Sequence, residues 1–404
     1  MIFYINRISE SRIYSFEQKK GSSKSTVSYG TEGNCYYPLC AEKFAVKTAG
    51  RKCIMTKYVL KRIAYMLVVL VILSLIMFLI YNLVPSNRAY TDTQAEMTAK
   101  KNTLKNLTPE EYQEYFDNVY LSYQRKYGTD TDNLLIRYGR WVGIYPLYDG
   151  SFKGLLQGNF GYSIEQKKDV VDVIPDPMGV TIFINIFATI LALGITIPLG
   201  IYCSVRKGRK FDQSIQVVTI IGYSLPTFIT AILFIWIFCS LLGWFPPNGM
   251  KTPGSDYEGL KWFGDTMYYL ALPLMCMTFC SLGGMTRYVR ASMIDALSMD
   301  CIRTARAKGV KEKTVIYSHA WRNALIPVVS LVIGWFLSIF SGSLVFENMF
   351  GISGMGQLMY RSLMSKDFDV ILFLQLFYVA ISLIANLIID VVYGLVDPRV
   401  RVNK

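Results

Sequence analysis

A single histidine, His319, occurs in 404 residues, and it lies in a basic stretch, outside the apolar runs. The apolar runs themselves are almost free of ionisable groups. Lys61 and Arg62 stand at one end of the first, and Asp390 near the end of the last. Carriers driven by protons or ions keep acids or histidines at mid-membrane depth, because the coupling charge must sit there despite its cost. Their scarcity argues against a stand-alone channel or secondary carrier and puts the energy source outside this chain. A Walker A loop is missing too. It needs GxxxxGK[ST], whose backbone amides cradle phosphates; Gly21-Ser22-Ser23-Lys24-Ser25-Thr26 lacks the second glycine and follows no strand. The eight cysteines make no framework. Cys203, Cys239, Cys276 and Cys280 fall in or beside apolar runs, and Cys301 in a basic stretch. Cys35, Cys40 and Cys53 have a spacing that fits no zinc pattern, with no histidine nearby. They read as free thiols, with no metal site.

What is present is apolar and basic. Hydrophobic residues make up 52% of the chain and the net charge is +13. A basic chain raises nucleic acid as a partner. Here, however, the cations cluster at the ends of apolar runs and no nucleic-acid motif accompanies them. Six runs are long enough to cross a bilayer, which takes about 20 apolar residues: 59–84, 178–205, 214–245, 267–287, 326–346 and 371–393. The expected fold is all-α and polytopic, with six transmembrane helices. The 206–213 loop carries Arg206, Lys207, Arg209 and Lys210 against Asp212. The 287–325 loop and the C-terminal Arg399, Arg401 and Lys404 are basic as well, whereas 246–266 and 347–370 hold two Lys/Arg each. By the positive-inside rule both termini face the cytoplasm.

Residues 85–177 then form an extracytoplasmic region between the first two spans. Thr108-Pro109-Glu110-Glu111 predicts a helix start, with Thr at the N-cap, Pro at the first position and acids in the first turn. Tyr112, Tyr115, Phe116, Val119, Tyr120 and Tyr123 follow at helical spacing. That aromatic face either meets an external partner or packs on the chain's own outer loops. Residues 1–54 are polar and aperiodic, as in a disordered cytoplasmic tail; Met55, just before the first span, is an alternative start. The remaining domain limits are 55–84 for the first transmembrane helix and 178–404 for the core.

Small polar residues punctuate the spans: Asn185, Thr189, Ser224, Thr227, Ser338, Ser341 and Asn386. They line a path for a hydrogen-bonding solute or bridge helices. Ser330, Gly334, Ser338 and Gly342 recur every four residues, which puts small groups on one helical stripe for close packing, within the chain or on a second subunit.

Residues 287–327 carry Arg287, Arg290, Arg303, Arg306, Lys308, Lys311, Lys313 and Arg322 against Asp295, Asp300 and Glu312. Within them, 299–310 predicts a short cationic helix, with Asp300 near its start, Arg303, Arg306 and Lys308 toward its end, and Gly309 as terminator. Thr304, Ala305 and Ala307 give it a flat face suited to a cleft.

Arg303-Thr304-Ala305-Arg306-Ala307-Lys308-Gly309, followed by His319-Ala320-Trp321-Arg322-Asn323-Ala324-Leu325-Ile326-Pro327, resembles the cytoplasmic motif of binding-protein-dependent ABC importer permeases of the dipeptide/oligopeptide branch. Gly158-Asn159-Phe160-Gly161-Tyr162-Ser163, Ile197-Pro198-Leu199-Gly200, Ser224-Leu225-Pro226-Thr227-Phe228, residues 346–356 (FENMFGISGMG) and Asp397-Pro398-Arg399-Val400-Arg401 resemble further family motifs in order. The chain departs in having Arg303-Thr304-Ala305 for the general Glu-Ala-Ala, Ser353 for a proline, and Pro85-Ser86-Asn87 for Pro-Gly-Asp.

The resemblance implies a type I importer permease architecture in a prokaryotic plasma membrane. It also implies a second permease subunit, two ABC ATPase subunits and an extracytoplasmic peptide-binding protein. No cofactor is expected on this chain; ATP and Mg belong to the partners. Residues 303–309 would be the ATPase-coupling element, and His319, Arg322, Asn323 and Pro327 would brace the loop, with Pro327 starting the fifth span. The chain would be a transport subunit and no enzyme, its solute a peptide. A nickel or nickel-chelate permease of the same build is the alternative, with Met275, Cys276, Met277 and Cys280 as the nearest approach to soft ligands.

Overall fold

A computed structural model describes residues 38–83, 88–104, 108–131 and 133–396. The chain divides between Ile54 and Met55, and the apolar spans all lie in the second unit, Met55–Lys404. Most of the expected N-terminal tail, the Gly21 motif, Cys35, Pro85-Ser86-Asn87 and the Asp397–Arg401 motif lie outside the described residues.

Helices dominate. α1 (Pro38–Leu83) contains the first apolar span, Val59–Asn82, with mean hydropathy 3.1. α2 (Arg88–Ala99), α3 (Pro109–Lys126) and α4 (Leu134–Val142) form the region after it. A two-stranded hairpin, β1 (Tyr162–Ser163) antiparallel to β2 (Lys168–Asp169), precedes α5 (Pro175–Val205). α6 (Lys210–Ser224) and α7 (Thr227–Phe234) come next, α7 running on through a π turn at Ile235–Leu241. α8 (Gly259–Leu297), α9 (Asp300–Ala307), α10 (Trp321–Leu337), α11 (Leu344–Met349), α12 (Met355–Ser365) and α13 (Phe368–Val396) complete the order.

Five helical segments are long and apolar enough to cross a membrane, and a sixth is broken. The run expected as one span over 214–245 bends by 107° between α6 and α7. Pro226 is the cause: it has no N–H for the carbonyl of Gly222, and Leu225 before it is extended (ψ 132°). Other spans outrun their apolar cores. α8 continues ten residues beyond 287 because Met293 and Ala296 are buried beside α9. Arg287 and Arg290 are therefore helical and not part of a loop. The fifth span, Glu312–Phe340, begins before Pro327, which lies inside α10. The expectation that Pro327 starts this helix is corrected: a π turn at Val315–Ala320 carries the helix into it.

α8 is the central strut, packed on α5, α6 and α10. Glycine lets it approach. A Cβ on Gly200 of α5 would come within 2.8 Å of Val289, and one on Gly283 within 2.5 Å of the Thr219 carbonyl of α6. Two cores result. At the basic end Ile201, Met285, Val289 and Met293 pack with Ile302, Val315, Ala320 and Val328. At the opposite end Ile184, Leu270, Leu272 and Cys276 pack with Phe346, Phe350 and Ile352.

The α2–α3 pair explains the aromatic periodicity. Tyr90 of α2 packs edge-on against Phe116 and Tyr120 of α3. Tyr123 donates its hydroxyl to Glu96 at 3.0 Å, and Tyr127 donates to Asp92. Packing on the chain's own helices accounts for most of that face. Thr108 caps α3 in a full capping box with Glu111.

Candidate functional site

The basic end is built around α9. Ile302 is fully buried in the core there and Ala305 nearly so. Burying one isoleucine stabilises by roughly 1.5–3 kcal/mol, enough to anchor two turns of helix. Arg303, Thr304, Arg306, Ala307 and Lys308 are exposed on the other face. Asp300 and Arg303 pair at 3.5 Å across one turn, and Arg306 forks onto Glu312 with Nη2 at 2.6 Å and Nε at 3.2 Å. Gly309 ends the element at φ +73° with nothing near the place of a Cβ. The helix therefore sits on an apolar base, and Ala305, expected on the flat face for a cleft, is turned instead into the chain's own core.

The expected bracing residues are placed differently. His319 and Arg322 are exposed, and Asn323 donates to the His319 carbonyl in its own helix at 2.9 Å. The bracing is apolar: Val315, Ile316, Ala320 and Ala324 close over Ile302 and Ala305. Periodic burial wins here because the helix is continuous and its polar side chains fall on its outer face.

An ion pair that the sequence did not single out ties two helices together at the same end. Arg290 of α8 contacts Asp212 of α6 twice, Nε to Oδ1 at 2.6 Å and Nη2 to Oδ2 at 2.7 Å. The Gly208 N–H also donates to Asp212, at 2.9 Å. The only hint in sequence is a lone acid in a turn of cations.

At the opposite end, Glu347 of α11 is buried and accepts from the backbone N–H groups of Gly356 (2.7 Å), Gln357 (3.1 Å) and Ser343 (3.2 Å), and from Thr181 Oγ1 of α5 (3.0 Å). Thr181 in turn accepts from Met355 N–H at 2.8 Å. A Cβ on Gly354 would strike both Glu347 and Thr181 at 2.5 Å, which is why glycine stands there. Burial pushes the Glu347 carboxyl up from its ordinary pKa, while the donated hydrogen bonds pull it the other way. The Gly158–Ser163 motif docks on the start of α13: Ser163 Oγ donates to Asp367 at 2.5 Å and Tyr162 N–H to Asp369 at 3.0 Å.

The polar residues expected to line a path divide. Asn185 is committed to the carbonyls of Ile339 (2.9 Å) and Ser341 (3.1 Å), bridging α5 to the end of the fifth span. Ser338 bonds back to Trp335 at 2.7 Å. Thr189 is buried. Ser224 and Thr227 flank the break between α6 and α7 and are exposed, as is Ser341. On the small-residue stripe, Gly334 faces Ile389 of α13. The five described cysteines outside α1 are free, and among the described residues no group of three His, Cys, Asp or Glu is arranged to hold a metal.

Residues 196–402 match the family model described as binding-protein-dependent transport system inner membrane component. The oligopeptide transport system permease protein AppB of Bacillus subtilis is 34% identical over 277 residues, covering 68% of this chain and 83% of its own length. The oligopeptide transport system permease protein OppB of Haemophilus influenzae is 31% identical over 63% of this chain and 81% of its own. The inner membrane ABC transporter permease protein YejB of Escherichia coli O157:H7 is 32% identical over 63% and 72%. The matched region contains α9, Gly200 and Glu347 with its Ser343, Gly356 and Gln357 donors, so the chain belongs to the family of binding-protein-dependent transport system inner membrane components.

Proposed function

We propose that this chain is a membrane-spanning subunit of an ATP-driven importer that carries peptides into the cytoplasm. Its relatives are named for oligopeptide transport. The observation that carries the mechanism is α9, whose apolar side is sunk in the basic-end core while its cations face outward. A helix held in this way transmits a push from outside to α8 and α10 with little loss, because packed cores resist compression. The partners are then a second permease subunit, two ABC ATPases holding ATP and Mg, and an extracytoplasmic peptide-binding protein. Arg303, Arg306 and Lys308 meet the ATPase, with both termini cytoplasmic in accord with the loop charges. ATPase closure moves the paired α9 helices and opens the pathway to the other side. No specific observation favours the nickel alternative.

The test is uptake of a labelled tetrapeptide by cells expressing the whole transporter. Unlabelled peptides are expected to compete and nickel salts to be inert. Competition by nickel or its chelates, with peptides inert, would reverse the assignment of solute.

A further inference from the structure

We infer that the turn between α5 and α6 together with the first two residues of α6, residues 206–211, is a docking surface for anionic phospholipid headgroups. Arg206, Lys207, Arg209 and Lys210 lie within five residues. Among the described residues none of the four makes an ion pair. The nearest acid, Asp212 in the first turn of α6, is withdrawn: it is buried and its oxygens are held by Arg290 and the Gly208 N–H. The coupling helix contrasts with this turn, since Arg303 and Arg306 each have an acid beside them. Four cations within five residues thus stand there without a paired acid. Arg209 and Lys210 stand at the positive end of the α6 dipole, where Asp212 is the acid of the first turn.

The ground beneath the cations selects lipid over an acidic protein. The Arg206 guanidinium lies 3.8 Å over the Tyr202 ring, and Tyr202 meets Phe211 edge-on at 5.0 Å. Both rings are about two-fifths exposed. From Phe211 an exposed apolar face continues along α6 through Val217, Val218 and Ile221. Rings at the boundary between cations and an apolar face are the membrane-interface arrangement, and a phospholipid satisfies both parts, the phosphate above and the acyl chain below. The Asp212–Arg290 pair fixes this turn to α8, so headgroups bound here hold the helix end that carries α9. Only the side of the membrane depends on the transport reading.

The experiment reconstitutes the full chain in phosphatidylcholine bilayers and compares spin-labelled phosphatidylglycerol with spin-labelled phosphatidylcholine at the protein boundary. Phosphatidylglycerol is expected to be preferred, and Arg206→Gln/Arg209→Gln to lower the preference severalfold, the ceiling being about fivefold per charge. Arg303→Gln/Lys308→Gln removes the same charge and is expected to leave it unchanged. No preference in the wild type, or equal loss in both double variants, overturns the site. An unchanged preference combined with loss of ATPase co-purification in the first double variant assigns the turn to a protein partner instead. Should that variant fail to insert, Lys207→Gln and Lys210→Gln singly give the same reading at smaller amplitude. Because the readout is lipid association, failure of peptide uptake leaves it intact.

Discussion

Arg290 holds Asp212 with two arms of its guanidinium, 2.6 and 2.7 Å away, across 78 residues of sequence. The carboxylate is fully buried. This fork fixes the first turn of α6 to α8 one turn before Met293, which packs in the same core as the coupling helix.

Removing one partner should be far worse than removing both. Asp212→Ala leaves a mostly buried cation without its counter-charge, at a cost on the order of 3–5 kcal/mol. Asp212→Leu/Arg290→Met is expected to recover much of that loss. Thermal unfolding of the detergent-purified chain decides it; a single variant as stable as wild type would show the pair to be incidental.

Neighbouring glycines on α8 should respond in opposite directions. A Cβ at Gly283 meets the Thr219 carbonyl and Tyr223 within 2.6 Å, whereas one at Gly284 meets nothing within 4 Å. Gly283→Ala is expected to lose about 1–3 kcal/mol through overpacking, and Gly284→Ala to gain up to about 1 kcal/mol from helix propensity. The melting temperatures of the two variants give the comparison directly.

Glu347 introduces a pH dependence of definite sign. Burial raises its pKa above the ordinary 4.5, so the folded state binds the proton more tightly than the unfolded state. Its contribution is fully present below about pH 4.5 and declines as pH rises through the folded pKa. Unfolding measured from pH 4.5 upward should show this fall in wild type. Glu347→Gln, which cannot titrate, should show a flatter profile but lower stability at acid pH, because an amide has one acceptor for these donors.

Gly309 has room for a side chain but sits at φ +73°. Gly309→Asp should therefore insert and fold, with a backbone cost of about 1–2 kcal/mol. In the assembled transporter it is expected to allow ATP hydrolysis while abolishing peptide uptake. The ratio of peptide moved to phosphate released is the measurement, and a normal ratio would remove α9 from the coupling step.

Thr108→Ala removes the cap of α3 and should cost about 1 kcal/mol. The effect belongs to one helix end, so amide exchange is expected to quicken at 110–112 with the spans unaffected.

Much of this architecture was legible in residue pattern alone. Runs such as Val59–Asn82 have no other stable home than a membrane or a buried core, and the spacing of Arg303, Arg306 and Gly309 marked a short terminated helix. What escaped the sequence was settled by partners distant along the chain. Asp212 looks like one acid among cations until Arg290 arrives from another helix. His319, Arg322 and Asn323 are braces by the family resemblance, yet apolar side chains fill that contact. Asn185 looked like a pathway residue, but two carbonyls at the end of the fifth span claim its amide. The helix ends of α8 and the fifth span exceeded their apolar runs because amphipathic turns continue beyond the hydrocarbon.

The break at Leu225–Pro226 limits what this polypeptide achieves alone. Fifteen residues of α6 rise about 22 Å, short of a hydrocarbon layer of roughly 30 Å. The following limb leaves it at 107°. Pro226 deprives the Gly222 carbonyl of its helical donor at this elbow, beside Tyr223 and Phe228, whose rings are exposed. Acyl chains cannot solvate such an elbow. Water or a neighbouring helix has to meet that elbow wherever it lies in the hydrocarbon.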